Sequence, residues 1–137
     1  MRIFKGVIGN RGSAKGDAVV IRDSISWWGG VNFHNGSISE LWLESRGTVF
    51  AGKIFVLPST KGSSGNWSIL VHSARLGTHP KAIVMQKGDP LIVAAAFNIG
   101  IPYVFGFTED LTRIIRDGDH VIVNGDAGEV IVEEGKD

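Results

Sequence analysis

The strongest constraint in this sequence is an alternation that begins near position 53 and runs to position 132. Short apolar runs are separated there by segments of helical spacing. Residues 53–57 form an apolar run that stops at Pro58. Trp67, Leu70, Val71 and Ala74 then recur at helical spacing within residues 66–76, and Gly77 ends the run. Residues 82–85 read as a buried strand. Asp89 followed by Pro90 is a helix start, since Asp caps and Pro fits the first turn, and residues 91–98 continue it. Residues 101–105 are another strand. Residues 108–115 read as a short helix with Glu109 and Asp110 in its first turn, where negative charge suits the dipole. Residues 120–123 and 129–132 are strands around the turn Asn124-Gly125-Asp126. Strand–helix–strand–helix–strand predicts a parallel sheet with right-handed crossovers.

Residues 1–46 differ in character and read as β. Ile3, Val7 and Ile8 sit among glycines, residues 18–21 are a short apolar run, and Trp27 and Trp28 precede Gly29 and Gly30. Asn35-Gly36 is a hairpin turn signal, because both residues tolerate positive φ. The expected fold is therefore one α/β domain over residues 1–137: a parallel-sheet β-α-β-α-β core packed on a β-rich N-terminal layer. An apolar content of 43 % with 20 % charged residues is enough for a core of that kind.

The same composition narrows the function classes. Lys plus Arg equals Asp plus Glu, 14 against 14, so no global charge draws the chain to nucleic acid or to an anionic membrane. There is no cysteine, hence no disulfide, no thiolate nucleophile and no Cys-ligated iron–sulfur or zinc site held by this chain alone. Residues 1–12 are too polar and glycine-broken for a signal peptide, and no apolar run approaches the roughly 20 residues that span a bilayer. The expectation is a cytoplasmic protein with no nucleic-acid or membrane partner.

Chemistry concentrates in residues 57–65, where Pro58-Ser59-Thr60-Lys61-Gly62-Ser63-Ser64-Gly65 leaves a strand and enters a helix. Ligands of parallel sheets gather at carboxyl ends of strands, and helix N-termini favour anions. Gly62 and Gly65 let backbone approach a ligand, Ser63 and Ser64 place hydroxyls there, and Lys61 adds charge. The set suits a carboxylate, a phosphate or a serine alkoxide; the plainer reading is a Ser/Gly loop that caps a helix. Gly29-Gly30 implies a tight turn or a close backbone approach, and is a second candidate ligand contact. Of Trp27 and Trp28, one points into the core and the other outward. Trp67 either shapes a pocket or packs against a partner. His34, His72, His79 and His120 are scattered without ligand spacing, so packing or surface roles are expected and no metal site.

Two stretches resemble the aconitase X swivel domain family. Ser26-Trp27-Trp28-Gly29-Gly30-Val31-Asn32, then Asn35-Gly36-Ser37-Ile38, is similar to that family's S-F-W-G-G-V-D and T-G-x-I. Residues 49–65 are similar to its V-A-G-K-V-L-V-L-P-S-G-R-G-S-S-S-G, and Asp89-Pro90-Leu91 and Gly100-Ile101-Pro102-Tyr103-Val104 follow in the family's order. The resemblance implies a swivelling β/β/α domain, the small subunit of a dehydratase whose large subunit carries the cysteines and the iron–sulfur cluster. It implies dehydration of a β-hydroxy acid, of the mevalonate 5-phosphate or cis-3-hydroxyproline type. The cluster is then the Lewis acid and a swivel-domain serine the base, Ser63 by motif position with Ser64 as fallback. Lys61, Gly62, Ser64, Gly65, Gly29 and Gly30 would contact the small anionic substrate.

The chain departs from the pattern at Lys61 (Arg in the family), Thr60 (Gly), Asn66-Trp67 (small residues) and Asn32 (Asp). Lys cannot clamp a carboxylate bidentately as Arg does, so the first departure bears on substrate choice. A non-catalytic swivel or assembly module is the alternative. Residues 100–106 and 117–130 also resemble the swivelling phosphohistidine domain of phosphoenolpyruvate-using enzymes. That chemistry needs a histidine where this chain has Leu91, which argues against a phosphocarrier.

Overall fold

The computed structural model describes residues 1–62 and 65–133. In chain order the elements are β1 (Arg2–Lys5), β2 (Val7–Asn10), β3 (Ser13–Val20), the single turn α1 (Trp27–Gly30), β4 (Val31–Asn32), β5 (Ser37–Ile38) and β6 (Ile54–Leu57). There follow α2 (Gly65–Arg75), β7 (Ala82–Met85), α3 (Pro90–Ile99), β8 (Tyr103–Phe105), α4 (Leu111–Ile114), β9 (His120–Asn124) and β10 (Glu129–Glu133).

The parallel core predicted from the alternation is present: β3, β6, β7 and β8 are successive parallel neighbours. All four residues of β6 and of β7 are buried, as expected of strands covered on both faces. Their alternate side chains feed two cores. Ile54, Val56, Ala82 and Val84 enter a core between two β layers, with Val121, Val123, Val130 and Val132 opposite. Phe55, Leu57, Ile83 and Met85 enter a second core under α2 and α3, with Trp27, Phe50, Leu70 and Ile92. This is a β/β/α arrangement.

The two expected β layers exist, but both ends of the chain build the second one. Strand order is β1-β10-β9-β3-β6-β7-β8-β2. Within β3, Ser13–Asp17 pairs with β9, whereas Ala18–Val20 pairs with β6, so the strand passes from one layer to the other. At the far end β1 and β2 are separated only by Gly6, which joins the first and last strands of the order covalently. A Cβ on Gly6 would lie 2.6 Å from the Phe105 carbonyl oxygen, so only glycine fits this corner. The C-terminal hairpin β9–β10 supplies the rest of the layer, its buried positions alternating as one-sided strands do. Leu111, which opens α4, and Ile115, which caps its end, fill the same inter-layer core.

Local differences from the sequence reading have local causes. Within the part that reads as β, Trp27–Gly30 form a turn, with Gly29 at φ 79 and Trp28 extended. The helix expected over 108–115 begins at Leu111, since Asp110 is its cap and not a first-turn residue. The Asn35-Gly36 turn does join an antiparallel pair, β4 and β5, with Gly36 at φ 68. Gly77 follows α2 at φ 73, and the Asp89 side chain caps α3 through the Leu91 amide.

Candidate active site

β6, β7 and β8 run parallel, so the segments that leave them emerge at one edge. The segment after β6 and the one after β7 are stitched there: the amides of Gln86 and Lys87 both donate to the Pro58 carbonyl, at 3.0 Å each. A third segment joins them from the N-terminal half. Ile25 pairs with Thr60 in a parallel bridge, and the Lys61 amide donates to the Ile25 carbonyl at 2.8 Å. This is the edge where ligands of parallel sheets collect.

Asn66, in the first turn of α2, is the hub. It is fully buried. Its Oδ1 accepts from the Trp27 amide at 2.8 Å, and its Nδ2 donates to the Lys61 carbonyl at 2.7 Å and to Asp89 Oδ2 at 3.3 Å. Thr60 Oγ1 donates to the same Asp89 Oδ2 at 2.5 Å. Ser59 and Ser24 hydroxyls meet at 2.6 Å. The base of the loop is thus held on every side. Among the described residues, a Cβ at Gly62 would meet nothing within 4 Å.

Below Asp89 lies Tyr103, whose hydroxyl oxygen accepts from the Asp89 amide at 3.2 Å. Burial holds the Tyr103 phenol well above the ordinary tyrosine range, and the Asp89 hydrogen bond offsets only part of that. The phenol is therefore neutral, a fixed dipole rather than a proton donor in reach of neutral pH.

Lys61 is not an isolated cation. Its Nζ lies 2.8 Å from Glu40 Oε1. The other oxygen, Oε2, is buried with no hydrogen-bond partner among the described residues, and would lie 3.2 Å from a Cβ on Gly30. Glu40 therefore brings together two pieces singled out separately in the sequence, Gly29-Gly30 and the Lys61 loop. Gly29 suits its left-handed φ of 79, and a Cβ on Gly30 would crowd the Glu40 carboxylate. Sequence reasoning missed Glu40, Asn66 and Asp89 as parts of one site. Only the departure at position 66 and the Asp-Pro helix start hinted at two of them. Ser63 and Ser64 lie outside the described residues.

The remaining expectations resolve simply. Trp27 is buried against Phe50 and Phe55, and Trp28 faces out. Trp67 is exposed, at 37 %. Leu41 is exposed, and Trp42 is 98 % exposed at φ 73, an uncommon backbone state for tryptophan. Phe33 packs its ring against those of His34 and His72; His79 Nδ1 lies 2.6 Å from the Pro80 carbonyl oxygen and His120 Nδ1 2.7 Å from Glu133 Oε1. Among the described residues no group of three or more His, Asp or Glu is placed to hold a metal ion. Leu91 occupies the first turn of α3, where a phosphocarrier would need histidine.

The fold and the loop together define a small α/β domain that presents an anchored polar loop at the carboxyl edge of its parallel sheet. The chain belongs to the aconitase X swivel domain family, whose pattern it matches over residues 3–132. It is 36 % identical over 120 residues to the phosphomevalonate dehydratase small subunit of Archaeoglobus fulgidus, a match covering 88 % of this chain and 90 % of that one. The corresponding subunit of Pyrococcus furiosus is 34 % identical over 126 residues, covering 91 % and 92 %. The crystal structure of aconitase X from Thermococcus kodakaraensis, in its holo-form, superimposes with a TM-score of 0.91 at 30 % identity. That match covers 98 % of this chain and all of the other. No helix among the described residues is long and apolar enough to cross a membrane.

Proposed function

We propose that this chain is the small subunit of a cytoplasmic hydro-lyase that dehydrates a β-hydroxy acid, mevalonate 5-phosphate before cis-3-hydroxyproline, with Ser63 as the base. The observation that carries the reading is a loop whose two described ends are fastened by Thr60, Lys61 and Asn66, with space beside Gly62 among the described residues, at the carboxyl edge of three parallel strands. The names of its relatives support the reaction and favour the phosphorylated substrate.

The steps assigned to this chain are two. Ser63 Oγ removes a proton from the carbon next to the carboxylate, the C–H electron pair forms the double bond, and the hydroxyl leaves the neighbouring carbon, taking up a proton from solvent to depart as water. Lys61 and the amides at the start of α2 hold an anionic group of the substrate and favour the alkoxide form of the serine. With no cysteine and no metal-ligating cluster among its described residues, this chain does not fit an iron–sulfur cluster; the cluster expected for the reaction belongs to the large subunit. That partner seats against the exposed Trp28, Leu41 and Trp42, each within two positions of Gly30 or Glu40 in the chain. Exposed tryptophans beside a polar site are typical anchors of such interfaces.

The test is anaerobic co-expression with a large subunit of the family, followed by turnover of mevalonate 5-phosphate and of cis-3-hydroxyproline. Ser63→Ala should lower kcat at least about a hundredfold with the complex intact. Undiminished turnover would move the base elsewhere, with Ser64→Ala as the next variant. A stable complex without turnover of any hydroxy acid would make the chain an assembly module.

A further inference from the structure

We infer that Asp89 is a positioning residue for the loop, acting through Thr60 and Asn66 as one clamp. The Asp89 carboxylate divides its two oxygens between two tasks. Oδ1 caps α3 by accepting from the Leu91 amide at 2.9 Å. Oδ2 accepts from Thr60 Oγ1 at 2.5 Å and from Asn66 Nδ2 at 3.3 Å. The two donors lie on either side of positions 61–65 in the chain. One carboxylate oxygen, itself fixed by the cap, therefore ties down the strand-side and the helix-side ends of the loop together. Asn66 tightens the same knot by donating to the Lys61 carbonyl at 2.7 Å, inside the span.

Thr60 and Asn66 are also two of the positions where this chain leaves the family pattern. Glycine at position 60 would bring no hydroxyl, and a small residue at position 66 no amide. Each departure is unexplained alone. Joined at Asp89 Oδ2 they form a single device that fixes the two described ends of the loop before substrate arrives, and ends held in place spare the affinity that would be lost to unproductive arrangements. Asp89 and Thr60 touch no reacting atom; they act on where the loop's groups stand. This inference rests on the reading that the loop carries the base, but the clamp itself is measurable without turnover.

The variants are Thr60→Val, which keeps the shape and removes the donor, and Thr60→Ser, which restores it. Two readouts are taken on the reconstituted complex: hydrogen–deuterium exchange of peptides spanning residues 58–66, and kcat/KM on whichever hydroxy acid the wild type turns over. Loss of a charge-assisted hydrogen bond should speed exchange in that span about tenfold and lower kcat/KM about tenfold in Thr60→Val. Thr60→Ser should return both to within about twofold of wild type. Exchange in Thr60→Val equal to wild type would overturn the clamp, whatever the activity. Faster exchange with unchanged kcat/KM would overturn the positioning role and leave an ordinary structural bond. If the wild-type complex turns over nothing, the assignment of the base falls and takes the catalytic role of the clamp with it. The exchange comparison then still decides whether the loop is held through Asp89.

Discussion

Asn66→Ala would remove the side chain on which three segments converge, and its cost can be worked from the contacts. The substitution leaves the Trp27 amide buried without an acceptor, since Asn66 Oδ1 is its partner at 2.8 Å. A buried main-chain donor left in that state costs about 1–3 kcal/mol. The Lys61 carbonyl also loses a donor at 2.7 Å, but Lys61 is an exposed residue, so water recovers part of that loss, leaving about 0.5–1 kcal/mol. The 3.3 Å contact to Asp89 Oδ2 adds little, because Thr60 keeps that oxygen satisfied at 2.5 Å. The expected destabilisation is about 2–3 kcal/mol. For a chain of 137 residues, an unfolding entropy of about 2.1 cal/mol/K per residue converts this to a fall in thermal midpoint of about 7–10 °C. The assay is urea and thermal unfolding of the isolated chain, followed by tryptophan fluorescence, with an unchanged urea slope as the check that both states are comparable. A midpoint shift below about 2 °C would mean that water substitutes for the amide, and that the hub is not a dry one.

Other expectations follow from the same geometry. Tyr103 is the only tyrosine, and burial raises its pKa above the ordinary value near 10. Above that value the unfolded chain loses a proton that the folded chain keeps, so stability should fall as pH rises past about 10. Near-ultraviolet phenolate absorbance should appear only as the protein unfolds. A phenolate signal growing at the ordinary tyrosine pKa in folded protein would contradict the burial. Trp42→Gly should leave the free chain as stable as wild type or slightly more so, since the left-handed backbone at φ 73 suits glycine. The same variant should weaken association with the large subunit at least about tenfold by titration calorimetry. Unchanged affinity would remove Trp42 from that interface.

Much of this protein was legible before any coordinates. The apolar runs at 54–57 and 82–85 are strands because buried strands need a continuous apolar surface. Asp89-Pro90 opened a helix because its cap and its fixed φ are local properties. Asn35-Gly36 turned the chain for the same kind of reason. The ordered motifs pointed to the family, and they singled out residues 61–65 as the candidate substrate loop.

What the one-dimensional pattern could not supply was partnership across the chain. β3 changes layers at Asp17 because two different strands, β9 and β6, compete for its two halves. Gly6 closes the array because Phe105, 99 positions away, leaves no room for a Cβ. Lys61 read as a free cation until Glu40 was found beside it, and Thr60 and Asn66 read as unrelated departures until both met Asp89 Oδ2. Secondary structure and caps are decided by residues within a few positions of one another, and so are written locally. A site is decided by which distant segments the sheet brings to one edge, and that depends on packing that no single stretch of sequence contains.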